Sequence, residues 1–379
     1  MNSSKSKQRT GSIRLAGFLI LSILCGCLEP TKPEFQIEES FILVEGNILA
    51  GEGQGEIRIR ESNFREVALE FESVAGAEVL AIEANGTTVS WGPGYEPGRY
   101  IPPPEAVVLP GETWHVEITL PDGTSVISAP ETIPEPVEVS NLTINFVQNS
   151  SFDEGLNRFV PRFELFLDYV DPADQENYYA YDYHYWEEIT ICASCVNGRW
   201  RDGVCIPFDN PRFNNRYDYL CDTQECFSTK AGEETRYGSD AFTNGSSLTG
   251  FPLGGIIFTA YGGMLVEGSV YSITKEAFDY GKVIQDLVEG NSGLNPTTPA
   301  ALDGNVRNVD PGGRDVLGFI GAASKGSARA FVDRTTETGS PLPFDNNLRL
   351  EPLPPPAVPP RAPCNIPGVR TAERPVGWP

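Results

Sequence analysis

The chain has 379 residues, with 52 Asp+Glu against 28 Lys+Arg, 2 His and 8 Cys, and 40% of it is hydrophobic. That length suits two or three domains with sizeable cores, and the apolar content excludes global disorder. A net charge of -24 argues against nucleic acid as the main partner, and two histidines leave little for imidazole catalysis or a multi-His metal site.

The first element is an address. Lys5, Lys7, Arg9 and Arg14 form a basic stretch without acids, and Leu15–Leu24 is an apolar run too short to span a bilayer. Leu24-Cys25-Gly26-Cys27 follows, which resembles a bacterial lipobox, with the small Gly26 before an acylated Cys27. Residues 1–26 read as a lipoprotein signal peptide and 27–37 as a Pro-containing tether. Several acyl chains, at ~0.8 kcal/mol per buried CH₂, give durable anchoring. Removal of the signal leaves 24 Lys+Arg against 52 Asp+Glu, a charge of -28.

The expected fold class is mainly β. Residues 38–138 read as an immunoglobulin-like β-sandwich. Short apolar or alternating runs recur at 41–48, 56–60, 67–71, 77–82 and 113–120, separated by Asn85-Gly86, Pro110-Gly111 and Asp122-Gly123 turns. Ala129–Pro136 is expected to be a stiff linker, which places the domain boundary at 138.

Residues 139–379 read as a larger β-rich domain. In 162–169, Phe163, Leu165 and Leu167 share one face. In 177–186, period two puts Tyr179, Tyr181, Tyr183 and Tyr185 on one face. Tyr178, Ala180, Asp182, His184 and Trp186 then share the other. The tyrosine stripe is either core or, if exposed, a stacking platform for a glycan or a protein. Further strands are expected at 255–260 and 268–273. One helix runs from Ser272–Thr274 to Val288, with Ala277, Tyr280/Gly281, Ile284 and Leu287/Val288 on its apolar stripe. Residues 317–323 and 328–332 suggest a closing hairpin, and 340–363 a Pro-rich C-terminal tail.

Once Cys25 leaves with the signal and Cys27 carries lipid, six cysteines remain: Cys192, Cys195, Cys205, Cys221, Cys226 and Cys364. An even count in an exported chain reads as disulfides, with fifteen connectivities open. Five of them define a Cys-rich insertion, 190–228, to which Cys364 ties the tail. Cys192-Ala-Ser-Cys195 has zinc-ligand spacing but lacks a second CxxC, and a turn signal rather than a helix follows it.

Candidates for chemistry are sparse. Ser194, His184 and Asp182 are the only Ser, His and Asp in rough proximity, and no nucleophile elbow accompanies them. Glu187 and Glu188 are adjacent and so point to opposite strand faces. Asp303, Asn305 and Asp310 offer oxygen ligands for Ca²⁺ without EF-hand spacing. No cofactor is expected.

The order of several segments carries a resemblance. These are Phe41–Ile48, Gly76–Val79, Ser128–Pro134, Asp171-Pro172 with Asn177–Tyr179, Ser272–Tyr280, Gly304–Val306, Val316–Gly321, Cys364 and Arg374–Trp378. In this order they resemble the Bacteroidota outer-membrane lipoproteins of the domain-of-unknown-function 4249 family. The resemblance implies a lipid-anchored outer-membrane location, on the periplasmic or the cell-surface face. It also implies partnership with a TonB-dependent transporter or another β-barrel complex, and it supplies no enzymatic residues. The expected function is a non-catalytic accessory lipoprotein; the alternatives are a surface glycan-binding or adhesin-like module, with a glycan or peptide ligand, and last a hydrolase.

Overall fold

A computed structural model describes residues 40–65, 68–210, 212, 216–232, 235–290, 304–337, 339–342, 348–352 and 362–379. The expected signal, Cys27, the tether, Asp303 and most of the Pro-rich tail lie outside the described residues. The protein is mainly β, with one α-helix, Lys275–Gly290, among the described residues.

One sheet organises residues 40–379. Its middle is the strand order Gly55–Arg65, Ile42–Leu49, Val316–Asp333, Gly263–Ile273, Tyr178–Glu188. The strand Val316–Asp333 bridges the two halves of the chain. Its first part pairs in parallel with Ile42–Leu49 and its second part antiparallel with Gly263–Ile273. The expected hairpin at 317–332 is therefore a single 18-residue strand. Ser324-Lys-Gly-Ser327 reads as a turn, but Gly326 is there for space. A Cβ at Gly326 would collide with the Val137 carbonyl oxygen, so the glycine admits a crossing backbone.

Two cores flank this strand. The first gathers Ile42, Val44, Ile57, Val79, Trp114, Val116 and Ile118, with Ile320 and Ala322 of the bridging strand. The second gathers Phe163, Leu165, Leu167, Tyr179, Tyr181, Val266 and Val270, with Ala328 and Ala330 packed against it. The boundary expected at 138 does not divide the molecule cleanly: the first core takes Val306, Ile320 and Ala322 from beyond it, hydrogen bonding runs through the bridging strand, and residues 40–379 form one compact unit. The linker expected at 129–136 is also docked. Glu131–Thr132 pairs with Thr113–Thr119, and Ile133 is in the first core.

Period two explains both faces of the aromatic strand. Tyr179, Tyr181 and Tyr183 are buried and Tyr185 packs beside them. Tyr181 and Tyr169 share a hydroxyl hydrogen bond of 2.9 Å, Tyr179 donates to Asp171, and the Tyr183 hydroxyl donates to the Gly255 carbonyl at 3.1 Å. The stripe is thus core rather than a stacking platform, and its three buried hydroxyls are satisfied. Burial raises the Tyr179 and Tyr181 hydroxyls far above the usual phenol range, and neighbouring Asp171 and Tyr169 add to it.

All six cysteines pair: Cys192–Cys221, Cys195–Cys205 and Cys226–Cys364. The first two brace the insertion, where strands Thr190–Val196, Tyr217–Cys221 and Leu348–Pro352 form their own three-stranded sheet. The third fastens the C-terminal segment to the main sheet, beside the pairing of Arg370–Thr371 with Phe227–Ala231.

Candidate ligand-binding face

The second face of the aromatic strand holds the polar chemistry of the molecule. Ala180, Asp182, His184 and Trp186 oppose Tyr271, Ser269, Glu267 and Leu265 across the Gly263–Ile273 pairing. On the other side of Gly263–Ile273, the bridging strand contributes Lys325, Ser327, Arg329 and Phe331 to the same face. The core face of Gly263–Ile273 is carried by Met264, Val266 and Val270, so Glu267 inside an apolar run was the available signal for a functional outer face.

The helix covers one end of this face. Thr274 Oγ1 accepts from the Ala277 amide at 3.2 Å and caps its start, and Glu276 sits in the first turn. Of the expected apolar stripe, Ala277, Tyr280 and Ile284 line the space against the sheet, whereas Val288 is exposed. Gly281 is required by contact: a Cβ there would collide with the Tyr237 ring, which packs against the helix.

Between helix and sheet lies a cavity of about 380 Å³. Its lining includes Tyr237, Tyr271, Tyr280, Phe319 and Gly321, with the carboxylates Asp182 and Glu45. Tyr280 stacks on Phe319 with centroids 5.0 Å apart. That stacked pair also borders a second cavity of about 610 Å³, lined by Glu131, Glu276 and Asp279. No Lys or Arg lines either cavity among the described residues.

The electrostatics follow. Burial raises the Asp182 carboxyl above its ordinary value, against the opposing pull of His184, Lys325 and the hydroxyls of Tyr271 and Ser269. Asp182 Oδ1 is buried without a hydrogen-bond partner. Burial pushes the Tyr280 hydroxyl up to about 12, with help from Glu45 and Tyr237. Burial and then Asp182 raise Tyr271. Burial likewise raises Glu131. Glu45 is ion-paired with Arg60.

The other end of the face is sealed. Glu267 is almost wholly buried and pairs with both Lys325 and Arg329. Arg329 also lies over the Trp186 ring at 5.2 Å and donates to the Val376 carbonyl at 2.8 Å. Trp378 then closes this end, edge-on to Phe227 at 4.9 Å and to Phe331 at 5.1 Å. Burial alone would raise the Glu267 carboxyl, but Lys325 and Arg329 outweigh it and hold it below its usual value.

The other sequence candidates do not assemble. Ser194 is buried in the insertion sheet opposite Tyr219, whereas His184 and Asp182 belong to the main sheet. Glu187 is buried between Arg334 and Lys230, and Glu188 is exposed, so the pair does divide between faces. Asn305 is consumed by structure: its amide donates to the Ile320 carbonyl and to Glu131, and its Oδ1 accepts from the Ile320 amide. Asp310 accepts from the Gly312 amide in an exposed turn. Asn305 and Asp310 thus take part in local hydrogen bonds, and Asp303, the third residue suggested for a Ca²⁺ loop, lies outside the described residues.

Sequence reasoning misses the grouping of Tyr237, Tyr271, Tyr280 and Phe319 around Asp182. Asp182 and the helix stripe are each visible in the sequence. Tyr280 and Phe319 lie far along the chain from Asp182, and only the sheet pairing brings them together.

The model of one protein family, the domain of unknown function DUF4249, matches residues 28–329. No curated protein matches the chain.

Proposed function

We propose that this chain, which belongs to the DUF4249 family, is a non-catalytic lipoprotein of the outer membrane, anchored through Cys27 and working as the accessory partner of a TonB-dependent transporter or similar β-barrel complex. Three disulfides suit an exported protein in an oxidising compartment.

The observation that carries the partner is an exposed apolar surface on the disulfide-braced insertion. Val196 lies directly across from Tyr217, Tyr219 follows two residues on, and Leu350 lies across from Cys192. Val196, Tyr217, Tyr219 and Leu350 share one face by register and are exposed around the buried Cys192 and Ser194 of the middle strand. An apolar surface on a rigid sheet in so acidic a chain suits a standing protein contact. Burial of Tyr179, Tyr181 and Tyr183 leaves a glycan-binding reading without its stacking platform.

The test is affinity purification of the full chain from membranes in mild detergent. Wild type is expected to recover a β-barrel transporter, and Tyr217→Asp with Tyr219→Asp to lose it while the chain stays folded. Equal recovery by wild type and variant, or recovery of no β-barrel protein, sinks the reading. Labelled palmitate should enter wild type and not Cys27→Ala.

A further inference from the structure

We propose that the cavity between the helix and the sheet binds a small organic cation with an alkylammonium head, enclosed by the rings of Tyr237, Tyr271, Tyr280 and Phe319 and countered by Asp182. This inference is independent of the anchor and of the β-barrel partner.

Three observations converge. The first is shape: a space of about 380 Å³ between helix and sheet is within the range that encloses small ligands. The second is the wall, where four aromatic rings line the space; Tyr280 stacks on Phe319, and Lys325 already lies over the Tyr271 ring at 5.9 Å, so this wall tolerates a cation against an aromatic ring. The third is charge. Asp182 has no ion-pair partner among the described residues, and its Oδ1 is buried and unsatisfied. Lys325, whose charge reaches it, is paired with Glu267. The adjoining cavity adds Glu276 at the Tyr280–Phe319 partition, beside Glu131, which accepts from Asn305, and Asp279, which is paired with Lys275. An uncharged ligand would leave Asp182 with only the pull of His184, Lys325 and the Tyr271 and Ser269 hydroxyls, whereas a cation would add a direct counter-charge at the unsatisfied Oδ1. Burial is the main cause of the raised Tyr271 and Tyr280 hydroxyls, with Asp182 and Glu45 adding to it.

Gly321 supplies a way to close the site. A Cβ there would make only ordinary contacts, 3.7 Å from Ala277 Cβ and from the Phe319 ring, so a larger side chain enters the cavity without meeting backbone.

The experiment is calorimetric titration of the full chain in detergent with choline and with n-butylammonium, at constant ionic strength. The control is 3,3-dimethylbutan-1-ol, the uncharged carbon isostere of choline. At least one cation is expected to bind at least about tenfold more tightly than the isostere. Asp182→Asn should weaken binding by about tenfold, and Gly321→Leu should abolish it, both with thermal stability retained. Should Gly321→Leu fail to fold, Asp182→Asn decides, because it removes the charge at nearly constant shape. Equal binding of choline and isostere overturns the proposal. So does the absence of cation binding up to about 10 mM, or full affinity in Asp182→Asn.

Discussion

The two ends of one sheet face carry acids with opposite surroundings. Glu267 sits between Lys325 and Arg329, and the C-terminal segment packs over it. Asp182, on the neighbouring strand, has no such partner, and the helix above it leaves a cavity. Both carboxylates rest on the same sheet. Where the carboxylate is ion-paired, the cover closes into aromatic contacts; where it is not, space remains beside it.

The largest way to break the sealed end is to cut its fastening. Cys226→Ser with Cys364→Ser removes a crosslink spanning 138 residues. Chain-entropy reasoning gives up to about 4–5 kcal/mol of lost stability. Denaturant unfolding under non-reducing conditions should show this loss, while choline titration at the cavity end should be little changed. Loss of choline binding in the folded double variant would show that the two ends are not separable.

Next in size is Glu267→Gln. It leaves Lys325 and Arg329 facing an amide, and about 1–3 kcal/mol of stability should be lost at neutral pH. The sign of its pH dependence follows from a carboxyl held below its ordinary value. The stabilisation is present above the unfolded value near 4.5 and is lost as pH falls through the lower folded value. The difference between wild type and variant should therefore shrink in acid. Trp378→Ala is smaller. It removes two edge-on ring contacts from a half-buried side chain, for about 1–2 kcal/mol, read as a lower melting temperature.

The same contrast shows what the sequence made legible. Period two assigned both faces of 177–186 and the burial of Phe163, Leu165 and Leu167, because a strand alternates whatever it pairs with. The parity of the cysteines was readable, and so was the tie from Cys364 to the insertion, but not the pairing. The bridging strand was not readable. Its parallel pairing joins residues 42–49 to residues 316–323, at opposite ends of the chain, and Gly326 looks like a turn when it is a backbone crossing. The cavity was hidden for the same reason. Asp182 and Tyr280 were each on a recognised face, but Tyr271 and Phe319 join them only through pairings with no local signature.

The finest test reverses the sign. Burial raises the Asp182 carboxyl, so ionising it costs more in the folded protein than in the unfolded chain. That penalty is absent below the unfolded value near 3.8, grows as pH rises toward the elevated folded value, and is complete above it. Asp182→Asn removes the penalty. At pH 7 it should be neutral or stabilising, by under about 1 kcal/mol, since Asp182 is only partly buried and solvent screens it. The gain should disappear near pH 4, and it should also disappear at pH 7 when saturating choline supplies the missing positive charge to wild type. Glu267→Gln should show neither behaviour. If Asp182→Asn instead destabilises at pH 7 and choline leaves that difference unchanged, Asp182 is a structural acid like Glu267 and the two ends of the face are alike.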